Sequence, residues 1–126
     1  MPGLSLHDLG DLVRSMCNSS VEDESDLSKV NVRMEMFEAI VKGFLSGAGS
    51  MLNADEIKLM PYAGITMTTE TGVRFLTDYL SGDVYFRIKH PEHNIVRARA
   101  QLTLATKMVE AIPAMNAIVS KISNFK

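Results

Sequence analysis

Residues 70–86, with the sequence E-T-G-V-R-F-L-T-D-Y-L-S-G-D-V-Y-F, constrain the fold of this chain more than any other stretch. Leu76 and Leu80 are four residues apart, as are Phe75 and Tyr79, so on a helix each pair would share one face. Gly82 predicts the end of that helix, because glycine adopts the left-handed conformation found at many helix C-termini. Arg74 is the unusual member, since a guanidinium between two apolar neighbours must reach solvent or meet an oxygen-rich partner.

Helical spacing of apolar residues continues along most of the chain and predicts an all-α, single-domain fold. The predicted helices cover approximately residues 6–16, 26–47, 53–82, 94–113 and 114–122, and Pro113 is expected to end or bend the fourth of them. Pro61 is expected to kink or split the third of them, because proline lacks the N–H that an interior helical position donates. The fourth carries the clearest amphipathic pattern, with a polar face that includes Gln101 and an apolar stripe of Ile95, Ala98, Leu102, Ala105 and Val109.

Three helix starts carry capping signals in the sequence. Asn53 and Glu56 have the spacing of a reciprocal capping box, and Ser5 with Asp8 has the same spacing near the N-terminus. Asn94 is predicted to cap the helix that follows it, because asparagine accepts hydrogen bonds from free backbone N–H groups. For Asp8, this role of a carboxylate at a helix start is sufficient without any functional partner.

Two clusters of potential metal ligands are interpreted as structural rather than as metal sites. Residues 18–28 are rich in serine and acids and are expected to form a solvated loop, without the glycine and alternating ligands of a calcium loop. His90 and His93 are three residues apart, but Pro91 interrupts the helix that would align them and no third ligand is nearby. Both histidines are therefore predicted to lie at the surface, and no metal is expected in this chain.

The composition limits the possible partners and compartments. A chain of 126 residues suits one domain, and a formal net charge of -2 argues against nucleic acid as a partner. The single cysteine, Cys17, excludes an internal disulfide and is typical of a reducing compartment. Since neither a signal peptide nor an apolar run of ~18 residues is visible, we expect a cytoplasmic protein with no membrane association.

Three blocks of this sequence resemble, in the same order, parts of bacterial small-molecule kinases of the aminoglycoside-phosphotransferase superfamily. They are M-P-G-L-S-L-H-D-L-G-D-L-V-R-S at residues 1–15, the stretch 70–86, and H-N-I-V-R-A-R-A-Q-L at residues 93–102. Within that superfamily they are most similar to the N-acetylhexosamine 1-kinase branch. The resemblance implies the helical C-terminal subdomain of a protein-kinase-like fold of the aminoglycoside phosphotransferase or choline kinase type.

The resemblance also implies a function and a set of site residues. Arg74 and Tyr85 match positions that contact the acceptor sugar, and Asp8 matches an acid that braces the catalytic loop. The full-length family uses ATP and Mg²⁺, but these 126 residues contain no H-x-D-x-x-x-x-N catalytic loop, no D-x-D metal motif and no nucleotide-holding N-lobe. The implied function is therefore the substrate-binding part of an ATP-dependent sugar phosphotransferase, a fragment of a larger kinase that is inactive alone.

Other interpretations of the same residues stay open at this point. Arg74 can pair with Glu70 one helical turn earlier, and Tyr85 can pack as an interfacial aromatic. The chain can instead be a non-catalytic helical module that binds a partner or forms a homo-oligomer through an exposed apolar face. A third alternative is an enzyme of another class, such as a hydrolase or desulfatase of mucin-type sugars, although Cys17 has no histidine partner by motif.

Overall fold

The computed structural model describes residues 6–48 and 52–123, and these residues form an all-helical fold. The helices are α1 (Leu6–Met16), α2 (Met34–Ala48), α3 (Ala54–Leu80), α4 (His93–Glu110) and α5 (Ile112–Ser123), with a single 3-10 turn at Leu27–Lys29. Within the described residues the only β-type pairing is one isolated antiparallel bridge between Asn18 and Val32. The prediction of an all-α fold is confirmed.

The long helix α3 forms the axis of the fold. It packs against α1, α4 and α5, while α2 closes the core from the side of α1 and α5. Fully buried side chains come from every helix and fill one continuous core, whose larger members are Leu9, Val13, Phe37, Val41, Leu45, Met60, Leu104, Met108 and Met115. Because α3 contributes to the interface with three other helices, its C-terminal end has a defined position relative to α1 and α4.

The contact between α1 and α3 depends on two glycines that allow the helices to approach closely. A Cβ atom at Gly10 would collide with the carbonyl oxygen of Ala63 and would lie 2.6 Å from Cγ of Met67. A Cβ atom at Gly64 would lie 2.5 Å from Cγ1 of Val13. Side chains at either position would therefore force the two helices apart, since packed interiors have little free space.

The start of α3 follows the prediction, and the helix continues through Pro61. Asn53 and Glu56 form the complete capping box, with Oδ1 of Asn53 accepting from Glu56 N at 2.8 Å and Oε1 of Glu56 accepting from Asn53 N at 3.0 Å. Pro61 was expected to kink or split this helix, and it does not split it, since α3 is continuous over 27 residues. The proline is buried, and packing of the helix in the core offsets the cost of the missing backbone hydrogen bond.

The second helix begins later than predicted. Asp26 caps only the short 3-10 turn, where Oδ1 accepts from Ser28 N at 3.1 Å. The chain then runs extended to Arg33, and its backbone pairs with the segment after α1 through Ser19 N to Asn31 O at 3.0 Å and Arg33 N to Cys17 O at 2.7 Å. These tertiary hydrogen bonds outweigh the local helical pattern, so α2 starts only at Met34.

The buried face of α4 differs from the predicted stripe. Val109, predicted to be buried, is 56% exposed, whereas Gln101, predicted on the polar face, is 1% exposed. The buried positions of α4 are His93, Asn94, Ala98, Ala100, Gln101, Leu104, Ala105 and Met108. The helix packs mainly on α3 and also contacts α5 and the 3-10 turn, and Gln101 faces inward, where its Oε1 accepts from Nη1 of Arg14 at 3.4 Å.

The junction between α4 and α5 follows the prediction that Pro113 ends or bends the fourth helix, since α4 ends at Glu110 and α5 meets it at 62°. Pro113 is the second residue of α5, where the missing N–H of proline costs little. None of the described helices alone has the length and apolar composition needed to cross a bilayer. The bent pair of α4 and α5 together passes that test by length and composition only.

Alanine substitution of the glycines provides a test of this packing. We expect Gly10→Ala and Gly64→Ala to lower the free energy of unfolding by about 1–3 kcal/mol each, because both overpack the α1–α3 contact. Gly43→Ala on α2 is the matched control, since nothing lies within 4 Å of its Cβ position. There the higher helix propensity of alanine should raise stability by up to ~1 kcal/mol. Urea unfolding followed by circular dichroism measures both effects, and equal behaviour of Gly43 and Gly64 variants would contradict the packing.

Candidate ligand-binding site

The C-terminal end of α3 carries the buried carboxylate of Asp78, which organises the loop that follows. Its Oδ1 accepts a hydrogen bond from Tyr85 N at 2.7 Å, and its Oδ2 accepts one from Phe86 N at 2.9 Å. Between them the chain reverses through Gly82, with φ of 97°, and Asp83, with φ of 60°. The predicted glycine stop at Gly82 is thus confirmed, and the turn returns Tyr85 and Phe86 to the side of α3.

Asn94 belongs to the same hydrogen-bond network and does not cap α4 as predicted. The helix begins at His93 after Glu92, and no side-chain cap hydrogen bond is present there. Asn94 is completely buried, and its Nδ2 donates to Oδ2 of Asp78 at 2.8 Å and to Oδ1 of Asp83 at 3.0 Å. Its side chain therefore joins the start of α4 to the end of α3.

Opposing influences act on the ionisation of Asp78. Burial acts to raise the pKa of its carboxyl group, but the hydrogen bonds from Phe86, Tyr85 and Asn94 outweigh burial and hold the pKa below its usual value. The group is therefore charged at neutral pH. A charged carboxylate accepts stronger hydrogen bonds from backbone N–H groups than a neutral one, which makes the loop rigid at this point.

Arg74 and Tyr85, the two residues expected to contact a sugar, lie together in the structure. The Cζ atom of Arg74 lies 5.8 Å from the ring centroid of Tyr85 and 5.7 Å from that of Phe86. Phe86 in turn packs on Phe75 with a centroid distance of 4.6 Å. Within the described part of the chain no hydrogen bond or ion pair joins Arg74 to Glu70, so the alternative in which these two residues pair is wrong.

A cleft of about 400 Å³ lies beside these residues. Arg74, Thr77 and Ser81 line it from α3 and its last turn, and Tyr85 and Phe86 line it from the loop. Tyr85 is 71% exposed. The cleft thus combines guanidinium and hydroxyl donors with exposed aromatic surface, which is the composition of a site for a small polar ligand that has one apolar face.

His93 is buried, which corrects the prediction that both histidines lie at the surface. It is 2% exposed, its Nδ1 accepts from Lys89 N at 3.1 Å, and its Nε2 lies 2.8 Å from Oδ2 of Asp23. Because Nδ1 accepts a hydrogen bond, the ring proton is on Nε2, and Nε2–H donates a hydrogen bond to Asp23. This hydrogen bond lowers the pKa of Asp23 and attaches the acidic loop, predicted to be solvated, to the start of α4.

Asp8 lies in the first turn of α1 and is exposed to solvent. A carboxylate there is favoured by the partial positive charge of the helix N-terminus. The expected capping residue Ser5 lies outside the described residues, and the support of a catalytic loop by Asp8 stays a prediction. Among residues 6–48 and 52–123, no group of three or more His, Cys, Asp or Glu side chains is arranged to hold a metal ion.

Cys17 is unsuited to act as a nucleophile. The residue is fully buried in the core, and this burial raises the pKa of its thiol to about 12, with only partial opposition from the Arg33 guanidinium. Since the thiolate is the reactive form, the thiol is inert at neutral pH. This observation weighs against a cysteine-dependent hydrolase.

The sequence matches no protein-family model. Sequence reasoning found Arg74, Tyr85 and the Gly82 turn, but it missed the role of Asp78 as the acceptor for the loop. The only available signal was the D-Y-L-S-G-D spacing, which places a carboxylate one turn before a glycine.

Replacement of Asp78 tests the network that supports the site. We expect Asp78→Asn to lower the melting temperature at pH 7 and to increase amide exchange at Tyr85 and Phe86, because an amide is a weaker acceptor than a carboxylate and also introduces two N–H donors. Asp55→Asn, an exposed substitution in the first turn of α3, serves as the control.

The effect of Asp78→Asn on the melting temperature should depend on pH. The pKa of Asp78 is lower in the folded state than in the unfolded state. The stability that the ionised carboxylate contributes is therefore fully present above the unfolded pKa of about 4, and it is lost as pH falls through the lower folded pKa. The difference in melting temperature between the natural chain and Asp78→Asn should therefore shrink below about pH 4. A difference that persists unchanged to pH 2 would contradict an ionised Asp78.

Proposed function

We propose that this chain is the substrate-binding helical part of an ATP-dependent sugar phosphotransferase of the N-acetylhexosamine type, in which Arg74 and Tyr85 contact the acceptor sugar. The observation that carries the proposal is the position of the Arg74 guanidinium, 5.8 Å from the exposed Tyr85 ring on the wall of a cleft of about 400 Å³. No described carboxylate occupies that guanidinium. It is therefore available to a ligand.

The chemistry of the cleft suits a sugar. The guanidinium supplies several N–H donors in a fixed plane, and the phenol of Tyr85 both donates and accepts, so together they can bind hydroxyl and acetamido oxygens. The aromatic rings of Tyr85 and Phe86 offer apolar surface to the C–H face of a pyranose. Since Asp78 holds the backbone of both residues, little ordering of the loop is required on binding.

Phosphoryl transfer also needs groups that hold the nucleotide and Mg²⁺ and that receive the proton of the attacking hydroxyl. These 126 residues contain neither the H-x-D-x-x-x-x-N loop nor the D-x-D motif. In the proposed function, ATP and Mg²⁺ bind to groups outside these residues, and Asp8 on the exposed first turn of α1 supports the catalytic loop. The role of this chain is then to bind and orient the acceptor.

Binding of N-acetylglucosamine, measured by calorimetry or by NMR titration, tests the acceptor site. We expect weak saturable binding that Arg74→Ala reduces at least about tenfold, because charge-assisted hydrogen bonds are lost. Tyr85→Phe should reduce it less, since only the hydroxyl is removed. The 126-residue chain should not consume ATP with Mg²⁺ and any N-acetylhexosamine.

Matched controls separate the site from general effects. Tyr62→Phe removes a hydroxyl from another half-exposed tyrosine on α3, and Arg99→Ala removes an exposed arginine from α4. Both should leave sugar binding unchanged. Absence of sugar binding, or binding that survives Arg74→Ala, would rule out the acceptor site. ATP turnover by the 126-residue chain would rule out the proposal that the groups binding ATP and Mg²⁺ lie outside it.

A second candidate function, a helical module that forms homo-oligomers, is favoured by the exposed apolar side chains near the same loop. Leu80 is 74% exposed, Val84 is 78% exposed and Tyr85 is 71% exposed. Apolar residues concentrated at one place on a surface are typical of interaction sites.

Sedimentation velocity over a range of concentrations tests this alternative. If the module self-associates through this surface, Val84→Lys should weaken association, since it introduces a charge into the contact. Val21→Lys, at another valine that is 63% exposed, should not. A monomer at all concentrations would exclude the alternative.

A further inference from the structure

Arg74 also lines a second cleft, of about 450 Å³, on the side of α1 and α4. Four arginines line this cleft together with two carboxylates, and they come from α1, the acidic loop, α3, the 81–92 loop and α4. The charged residues are Asp11, Arg14, Glu22, Arg74, Arg87 and Arg97. Since the whole chain has a formal net charge of -2, this excess of positive charge is local to the cleft.

The two carboxylates compensate only one of the arginines. Asp11 Oδ1 lies 3.3 Å from Nη2 of Arg14, and Glu22 Oε2 lies 3.0 Å from Nη1 of the same side chain. Arg74, Arg87 and Arg97 form no ion pair with any carboxylate in the described residues. Three like charges around one cleft repel each other, and an anion bound between them reduces that repulsion.

Two of these uncompensated guanidiniums are held by the same pair of aromatic rings. The Cζ atom of Arg97 lies 5.3 Å from the centroid of Phe75, and that of Arg74 lies 5.7 Å from the centroid of Phe86. The two rings are in contact with a centroid distance of 4.6 Å. Stacking on an aromatic face orients a guanidinium plane while its edge stays free for hydrogen bonds.

Hydrogen bonds restrict Arg97 further. Its Nη1 donates to the carbonyl oxygen of Arg87 at 3.0 Å and to Oδ1 of Asn94 at 3.1 Å. Nε and Nη2 of Arg97 have no protein acceptor among the described residues, so three of its five N–H donors are left for a ligand. Arg14 also lines the cleft, and its Nε is buried without a hydrogen-bond partner in the described structure. The N–H groups of Arg97 that have no protein acceptor are therefore the donors available to a ligand.

We propose that this cleft is an anion-binding site for a tetrahedral oxyanion of the phosphate type, bound by Arg74, Arg87 and Arg97. Guanidinium groups bind phosphate and sulfate oxygens in a bidentate manner, which favours this ligand class over a halide. A phosphate group fills only part of about 450 Å³, so the cleft also has room for the organic part of a phosphate monoester. The proposal goes beyond the acceptor site and does not depend on it.

Calorimetric titration of the full chain with inorganic phosphate and with sulfate, at constant ionic strength, tests the site. We expect saturable binding of one phosphate per chain and weaker binding of acetate, which carries a single charge. The same titration with glucose 6-phosphate identifies the source of the anion: tighter binding than for inorganic phosphate indicates a monoester, and equal binding indicates the free ion. Both results support the anion site.

Variants that do not touch the acceptor cleft locate the binding. Arg87→Gln and Arg97→Gln should each weaken phosphate binding at least about tenfold. The Arg97 side chain packs on Phe75, so Arg97→Gln can impair folding. Arg87 is exposed, and Arg87→Gln therefore tests the site independently of that effect. Arg99→Gln is the control, because it removes the same charge from α4 but not from the cleft. No saturable binding of phosphate up to about 10 mM, or an equal loss in Arg99→Gln, would overturn the proposal.

Discussion

The arrangement of the candidate site depends on the burial of one carboxylate, that of Asp78. A charged group that is 4% exposed must be satisfied by hydrogen bonds. The carboxylate oxygens accept from two backbone N–H groups of the loop and from the side-chain amide of Asn94. These bonds determine where the chain returns after the Gly82 turn. They also fix the distance between the end of α3 and the start of α4.

The helices supply the rigid support that this network requires. Gly10 and Gly64 let α1 approach α3 closely, so side chains from both helices reach the same surface. Arg14 of α1 and Arg74 of α3 consequently line one cleft, although they are far apart in sequence. The side chains of the candidate site are carried by packed helices, which is the usual condition for a preorganised site.

Arg74 connects the two clefts, and the acidic loop determines the electrostatic difference between them. The hydrogen bond of Asp23 with the buried His93 attaches this loop to α4, and it brings Glu22 within 3.0 Å of Arg14. The loop thereby pairs with Arg14, and its Asp23 also acts electrostatically on Arg97 without forming an ion pair with it. Arg74 and Arg87 have no carboxylate partner among the described residues.

The sequence by itself determined the local features of this protein. The capping box of Asn53 and Glu56, the glycine stop at Gly82 and the bend at Pro113 involve partners within a few residues, so their signals are complete in the sequence. The helical class follows in the same way from the spacing of apolar residues. The resemblance to small-molecule kinases pointed to Arg74 and Tyr85 but did not predict which residues surround them.

Only the tertiary structure decided which polar groups are buried and which partners they meet. Asn94 resembles a helix cap but bonds to Asp78, 16 residues earlier, and Gln101 resembles a surface residue but accepts from Arg14, 87 residues earlier. His93 meets Asp23 across 70 residues. The free energy of such contacts depends on desolvation and on partners distant in sequence, and a local pattern contains neither.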